Sequence, residues 1–269
     1  MAIGGRWGVG ELGAKLPSWR PGPTRDWLCA TLVSTLEVSP VDRVAAFDND
    51  GTLACEKPAS SVRSFLRHVA PGADPYDGHD TERLLAVALA GLTPQEASAR
   101  AADFLAAARH PRFHRPYPGL TYQPMVELVR LLGVLEFTVF LVSDSSRDFL
   151  RGMASTAYGL APEHVIGSEA EIHWQDGQLR RQAQVIPLDD GPGKPAHLWD
   201  RAGRLPLLAG GNAKGDIELL DSAQHALLVR HDDGRREYAY EDQAAMDAAT
   251  ARGWTVVSMR QDFAQMFGR

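Results

Sequence analysis

The stretch that decides the fold is RVAAFDNDGTLACEKP, residues 43–58, in which an apolar segment ends on two carboxylates. Residues two apart in a strand point to the same side, so Asp48 and Asp50 share a face if VAAF is a strand. Two like charges at that distance repel each other unless a cation lies beside them. The pair is therefore either an exposed acidic turn or a holder of a cation that takes part in chemistry.

Four other segments resemble VAAF in their apolar, β-branched or aromatic content, and helical patterns separate them. The strand candidates are FTVFLVS (137–143), LPLLAG (205–210), ALLV (226–229) and TVVSM (255–259). The helix candidates are 24–38, 123–132, 146–158, 196–202 and 242–252, and Thr24 is the predicted N-cap of the first. Apolar strands that alternate with helices indicate an α/β fold with a Rossmann-like, mainly parallel sheet flanked by helices. In contrast, Asp176-Gly177 between alternating flanks predicts a β-hairpin.

Residues 58–118 differ from the rest in composition, since they are rich in Ala and contain no strand candidate. Thr93 followed by Glu96 predicts a capping box at the start of one helix. We therefore expect 58–118 to be a helical cap inserted into a core made of residues 1–57 and 119–269. Within that core, residues 1–22 are rich in Gly and Pro and predict a loose N-terminal arm that offers a surface for a homodimer.

Composition excludes several classes of function. The chain has 269 residues, is 44% hydrophobic and 23% charged, and carries a net charge of −6 without a strong basic block, so nucleic acid is not an expected partner. Its two cysteines, Cys29 and Cys55, give no disulfide framework. The longest apolar run, 84–92, is too short to cross a bilayer. The start lacks the apolar core of a signal peptide, so we expect a soluble cytoplasmic protein.

Polar side chains also follow other apolar segments. Ser143 ends FTVFLVS, Lys194 lies in GPGKPAHL, and Asn212 and Asp216 lie in GGNAKGD directly after LPLLAG. In a doubly wound sheet the carboxyl ends of the strands form the ligand site, so these residues should meet Asp48 at one edge. Carboxylate and amide oxygens suit Mg²⁺, a hydroxyl with helix amides suits phosphate, and the lysine offsets negative charge.

The motifs FDNDGTL, FLVSD, GKP and GGNAKGD, in that order, resemble the haloacid dehalogenase (HAD) superfamily of phosphotransferases. Strings such as LPSW, HPRFHRPY, YQPM and GRREYAY are similar to its phosphoserine-phosphatase-like branch. The resemblance implies an Mg²⁺-dependent phosphatase that forms a phosphoaspartate on Asp48 and uses Asp50 as general acid and base. It assigns Lys194 and Ser143 to catalysis, and it assigns Asp48, Asp50 through its backbone carbonyl, Asn212 and Asp216 to the metal.

The chemistry of the residues agrees with that assignment. A carboxylate is a weak nucleophile, so Asp48 needs a metal ion and a lysine to reduce its repulsion from a phosphate. Asp50 must be protonated in the first step, and the nearby Asp48 charge would raise the pKa of Asp50. An acid at position 50 also disfavours dehalogenation, because the resemblance implies that true dehalogenases lack it.

Two positions depart from the superfamily's common pattern and bear on the substrate. Asn212 stands where many members have Asp, and Asp144 stands where phosphoserine phosphatases have Gly. A carboxylate beside the phosphate favours a cationic group on the substrate, so Asp144 and Glu56, with Ser143 on the phosphate, predict a small amine-bearing phosphate monoester. Arg147 is a further candidate for substrate binding, or it pairs with Asp144 and neutralises it.

Other interpretations stay open. Taken singly, the motif residues are ordinary turn, cap and surface residues, and only their order favours chemistry. A phosphomutase would use the same fold and residues and return the phosphoryl group to its substrate. A binding or regulatory protein would keep the fold without turnover.

Overall fold

A computed structural model describes residues 7–73, 78–186 and 188–268, with the side chains of 78 and 79 left aside. Its strands are β1 Val44–Phe47, β2 Thr138–Ser146, β3 Val165–Ser168, β4 Ala170–Gln175, β5 Gln178–Val185, β6 Leu208–Gly211, β7 His225–Arg230 and β8 Thr255–Ser258. Six of them form one parallel sheet in the order β3-β2-β1-β6-β7-β8. The predicted α/β fold with a parallel sheet is confirmed.

Helices cover both faces of this sheet. The α-helices of the described residues are α1 Val9–Ala14, α2 Pro23–Thr35, α3 Ser61–Val69, α4 Gly78–Ala88, α5 Pro94–Ala107, α6 Gln123–Val134, α7 Arg147–Tyr158, α8 Gly193–Ala202, α9 Ile217–Asp221, α10 Gln243–Arg252 and α11 Met259–Asp262. The helix predicted from Thr24 begins instead at Pro23, after the N-cap Gly22, because proline suits the first helical position. No helix in the described part of the chain is long and apolar enough to cross a membrane.

The core has two layers because alternate residues of β1 face opposite sides of the sheet. Ala45 and Phe47 belong to one apolar cluster, and Val44 and Ala46 belong to the other. All four are buried. A strand that is buried on both faces reads as a continuous apolar run, which is why VAAF stands out in the sequence.

The N-terminal segment corrects one prediction. From residue 7 onward it is packed rather than loose: Leu12, Leu16 and Trp19 are at most 1% exposed. The Trp19 indole lies edge-on to Phe263, with ring centroids 5.4 Å apart, and its Nε1 donates to the carbonyl oxygen of Pro124 at 2.8 Å. The apolar spacing of these side chains outweighs the Gly and Pro content of the segment. Residues 1–6 of the predicted arm lie outside the described residues.

The predicted hairpin is formed by β4 and β5, with Asp176 and Gly177 both at positive φ in its turn. Three helices, α3 to α5, come from the stretch predicted as a cap, of which residues 74–77 are outside the description. The Thr93–Glu96 capping box is present at the start of α5. Helix α5 packs on α7, and α4 packs on β5 and β2, so the inserted helices contact the core directly. The division into core and cap stays a prediction.

The strand order places Asp48 and Asp50 at the point where successive strands stop being added on one side of β1 and start being added on the other. The chain runs from β1 outward through β2 to β3, and then returns to β6 on the opposite side of β1. Open α/β sheets bind ligands at the carboxyl ends of strands at such a switch point. Asp48 and Asp50 follow β1 directly and therefore occupy that position.

Candidate active site

A buried lysine joins two of the predicted carboxylates. Nζ of Lys194, in the first turn of α8, lies 2.9 Å from Oδ1 of Asp48 and 2.6 Å from Oδ1 of Asp216. All three side chains are at most 5% exposed. Burial lowers the pKa of the lysine, but the Asp216 and Asp48 charges outweigh burial and hold that pKa above its ordinary value. The structure thus brings the first, third and fourth motifs together around one ammonium group.

Asp48 lies in an environment that penalises its negative charge. Burial raises its pKa well above the ordinary value, the Asp216 charge adds to the rise, and the Lys194 charge opposes it. Its backbone amide donates to the Gly210 carbonyl at 3.0 Å, which ties the residue to the end of β6. A positively charged ligand beside Asp48 would relieve this penalty.

The loop after β6 fixes the fourth motif. Oδ2 of Asp216 accepts the amides of Asn212 and Ala213 at 2.9 and 3.0 Å. Asn212 then contacts the turn of residues 48–55 that follows β1, because its Oδ1 accepts from the Thr52 hydroxyl at 3.2 Å. Gly51 has a φ of +85°, and a Cβ there would lie 2.1 Å from Nδ2 of Asn212. Only glycine permits this approach between the first and fourth motifs.

Asp50 is held in place by two hydrogen bonds. Its Oδ2 accepts from the Ser145 hydroxyl at 2.9 Å and its Oδ1 accepts from Nδ2 of Asn49 at 3.0 Å. Burial, followed by the Asp144 and Glu56 charges, raises the pKa of Asp50 to about 7. The direction of the shift is the predicted one, but its leading causes are burial and these two carboxylates rather than Asp48.

At the end of β2, the cavity lining includes the predicted Asp144 but not the predicted Ser143. Ser143 is fully buried, and its hydroxyl accepts from the Ser145 amide at 3.3 Å. Asp144 and Ser145 instead line the cavity. Burial raises the pKa of Asp144, and the Lys194 charge opposes that rise. Sequence reasoning missed Ser145, although its place two residues after Ser143 on the same strand was a usable signal.

Arg147 does not pair with Asp144 as one prediction supposed. Its guanidinium contacts the carboxylates of Glu169 and, at 3.8 Å, Asp148, and it is buried there. Arg147 is also not among the described residues that line the cavity. The physical reason is that Glu169, which directly follows β3, offers Arg147 a carboxylate partner, and the sequence did not reveal β3.

The cavity has a volume of about 340 Å³ and collects the motif residues with part of the inserted helices. Among its lining residues are seven carboxylate side chains, Asp48, Asp50, Glu56, Glu82, Asp144, Asp190 and Asp216, and three cationic ones, Lys57, Arg63 and Lys194. Glu56, a predicted substrate residue, lies in this lining, with its Oε1 3.4 Å from Nδ2 of Asn212. Acidic side chains thus outnumber cationic ones around the cavity.

Glu82 is a cavity residue that the sequence did not reveal. It is 6% exposed and reaches the cavity from α4, in the inserted segment. Burial raises its pKa well above the ordinary value, with the Asp144 and Asp50 charges adding to the rise. The Ser146 amide donates to its carboxylate. No sequence signal connected a glutamate in an Ala-rich helix with the end of β2.

The four predicted metal ligands offer only oxygen atoms, which fits a hard cation. No three His, Cys, Asp or Glu side chains converge as a metal cluster in the ranges described. The predicted set does not need one, because two of its four ligands are the Asn212 amide oxygen and the Asp50 carbonyl oxygen. All four donors are oxygens, which Mg²⁺ prefers. The excess of carboxylates over cations in the lining also favours a bound cation.

Comparison with known proteins bears on the fold. No family model matches the chain, and neither does any curated protein. Two solved structures of proteins of unknown function match with a TM-score of 0.58. One, from Bordetella pertussis Tohama I, is 21% identical and covers 80% of this chain and 98% of its own. The other, from Anaerococcus prevotii DSM 20548, is 12% identical and covers 86% of this chain and 91% of its own.

A HAD family hydrolase from Salmonella enterica serovar Typhi also matches, with a TM-score of 0.48 and 15% identity over 77% of this chain and 69% of its own. A match at that score bears neither on activity nor on substrate. At these identities the first two matches show a shared fold and nothing finer. The sheet topology and the two matches with a TM-score of 0.58 agree on an α/β fold.

Proposed function

We propose that the protein is a phosphatase of the HAD superfamily that hydrolyses a small phosphate monoester through a phosphoaspartate on Asp48. The observation that carries the proposal is the Lys194 ammonium, which lies within 2.9 Å of both Asp48 and Asp216 at the switch point of the sheet. A cation in that position lowers the repulsion between a carboxylate nucleophile and an anionic phosphate. The four motifs in their order support the same activity.

In the first step, the free Oδ2 of Asp48 attacks phosphorus and the bond to the substrate oxygen breaks. Lys194 orients the other oxygen of Asp48. Asp50 donates a proton to the departing alkoxide, which requires that Asp50 be protonated near neutral pH. Its raised pKa of about 7 supports that role.

In the second step, water hydrolyses the phosphoaspartate. Asp50, now a carboxylate, removes a proton from that water, and its hydrogen bond from Ser145 keeps the carboxylate oriented. Asp48 is released with its original charge, and inorganic phosphate leaves. Ser145 is thus a positioning residue for both steps, whereas Ser143, predicted to hold the phosphate, is fully buried and contacts the Ser145 amide instead.

Mg²⁺ would be held by Asp48, Asp216, Asn212 and the backbone carbonyl of Asp50. When bound, it would neutralise charge on the phosphate oxygens. Asn212 brings no charge, so Asp216 supplies the second carboxylate of the set, and its two backbone hydrogen bonds hold it in place.

We further propose a substrate that carries an amine. Seven acidic and three cationic side chains line the cavity, so even with Asp50 and Glu82 protonated the carboxylates outnumber the cations, and Mg²⁺ with a phosphate dianion would not change that balance. Asp144 and Glu82 lie beside Asp50 and disfavour a second anionic group on the substrate. Glu56 lies at the same cavity and is a third carboxylate for an ammonium group.

The remaining parts of the proposal concern context. A small phosphorylated metabolite is the expected partner, residues 58–118 act as the cap over the cavity, and the cytoplasm is the expected location. The free thiols of Cys29 and Cys55 agree with a reducing compartment.

A phosphate-release screen over amino-alcohol, amino-acid and sugar phosphates, with and without Mg²⁺, tests the activity. We expect Mg²⁺-dependent release that is fastest with amine-bearing esters and absent in Asp48→Asn. Neutral sugar phosphates that outperform every amine-bearing ester would contradict the substrate class. A phosphorylated isomer formed without free phosphate would identify a phosphomutase, and a wild type as inert as Asp48→Asn on every ester would favour a binding protein.

A further inference from the structure

In the turn that carries Asp50, a glycine follows that residue directly. Gly51 has a φ of +85°, which glycine alone adopts freely, and its amide donates to the Ala54 carbonyl at 2.8 Å. Rotation at position 51 would move the Asp50 peptide and with it the general acid. Contacts that hold Gly51 from outside the turn therefore add to the hydrogen bonds within it in fixing where Asp50 lies.

One such contact comes from the end of the sheet beyond β7. Nε2 of His231 lies 2.7 Å from the carbonyl oxygen of Gly51, and His231 is buried. A carbonyl oxygen can only accept a hydrogen bond, so Nε2 carries the proton at this contact. The ring of Tyr240 stacks on the imidazole, with centroids 4.1 Å apart, and limits its movement. His231 thus holds the carbonyl group of Gly51.

Glu237 connects His231 to the other end of the same turn. One carboxylate oxygen lies 3.1 Å from Nδ1 of His231, and the other accepts from the Cys55 thiol at 3.1 Å. Glu237 is 0% exposed, so these contacts are not exchanged for water. Burial, with Glu237 adding to it, raises the pKa of the Cys55 thiol, which keeps its proton available to donate.

We propose that His231 and Glu237 form a clamp that positions the catalytic turn and thereby sets the orientation of Asp50. The clamp holds both ends of the turn, at Gly51 through His231 and at Cys55 directly. Neither residue lines the cavity described above, so both are positioning residues rather than catalytic ones. The effect on turnover rests on the proposed function, whereas the effect on the turn itself does not.

The test compares His231→Leu, which removes the donor to Gly51, with His231→Gln, which keeps a side-chain N–H donor. His225→Leu is the matched control, since it makes the same substitution at a histidine of β7 whose ring contacts Trp27, with ring centroids 6.2 Å apart, rather than the turn. Two readouts are needed for each variant and the wild type. They are the kinetics of p-nitrophenyl phosphate hydrolysis with Mg²⁺ and the amide hydrogen exchange of residues 49–55.

We expect His231→Leu to lower kcat by about 10- to 100-fold with little change in KM, because a small displacement of an acid costs rate rather than binding. Exchange in residues 49–55 should become faster in the same variant. His231→Gln should recover most of the kcat, and His225→Leu should match the wild type in both readouts.

The results separate the two proposals. A wild type without phosphatase activity would end the proposed function. In that case, faster amide exchange of residues 49–55 in His231→Leu than in wild type and His225→Leu would still support the clamp. Unchanged exchange and unchanged kcat in His231→Leu would overturn the clamp while leaving the phosphatase intact. If the leucine variant does not fold, His231→Phe takes its place, because it keeps a ring against Tyr240 and removes the donor to Gly51. Wild-type kcat and wild-type exchange in residues 49–55 of His231→Phe would also overturn the clamp.

Discussion

Replacing Lys194 by Met removes the cation that the site is built around, and the structure gives the size of the effect. The ammonium lies 2.9 Å from Asp48 and 2.6 Å from Asp216. At an effective dielectric constant of about 20, each such contact is worth about 6 kcal/mol before the cost of desolvating the ions. Because breaking a buried pair leaves charge uncompensated, we expect a net loss of about 3–5 kcal/mol in the free energy of unfolding.

The stability that Lys194→Met loses should increase with pH. Without the lysine, which opposes the rise caused by burial, the folded-state pKa of Asp48 lies still further above its unfolded value, so the folded state binds an extra proton. Stability of Lys194→Met relative to wild type therefore falls as pH rises from the unfolded pKa near 4 toward neutrality. Urea unfolding at pH 5 and pH 8, without Mg²⁺, measures this difference.

Lys214→Met is the matched control, because Lys214 is exposed and lies two residues before Asp216. It should change stability by less than about 0.5 kcal/mol. Lys194→Met should also lose at least about 100-fold in p-nitrophenyl phosphate turnover. A Lys194→Met protein that unfolds like wild type at pH 8 and turns over at the same rate would refute the electrostatic reasoning.

Three further changes probe other parts of the molecule. Gly51→Ala should destabilise more than Gly253→Ala in thermal unfolding, since both have positive φ but only the first meets Asn212; equal losses would mean that backbone strain alone matters. The stability of Asp50→Asn relative to wild type should rise between pH 5 and pH 8 without Mg²⁺, because the wild-type carboxyl, with its folded-state pKa raised to about 7, loses stability over that range. A difference in unfolding free energy that stays constant with pH would contradict the raised pKa. Trp19→Ala should cost about 3–5 kcal/mol in urea unfolding, and a cost near zero would restore the loose arm.

The sequence predicted the sheet where strands are buried on both faces. VAAF, buried on both faces, matches β1 residue for residue. The half-buried edge strand β8 was found instead from the β-branched residues 255–257. The sequence missed β3, a four-residue edge strand in which Gly167 and Ser168 interrupt the apolar run. Missing β3 also hid Glu169, and so the true partner of Arg147.

The candidate site was predictable where chemistry and chain order coincide and not where the fold alone brings residues together. Asp48, Lys194 and Asp216 meet as the motifs indicated. Glu82 and His231 reach the site or its turn from separate segments, and their neighbours in sequence give no hint of the cavity or of Gly51. Contacts of that kind depend on tertiary packing, which local pattern does not contain.

The central claim is that one carboxylate oxygen of Asp48 forms a bond with phosphorus. Crystals soaked with Mg²⁺ and beryllofluoride test this most directly, because the trifluoride mimics a phosphoryl group on a carboxylate. We predict continuous density from the Asp48 oxygen to beryllium, with the Lys194 ammonium and Asp50 beside it. Beryllofluoride bound elsewhere, or an Asp48 that keeps only its contact with Lys194 under saturating conditions, would contradict the account.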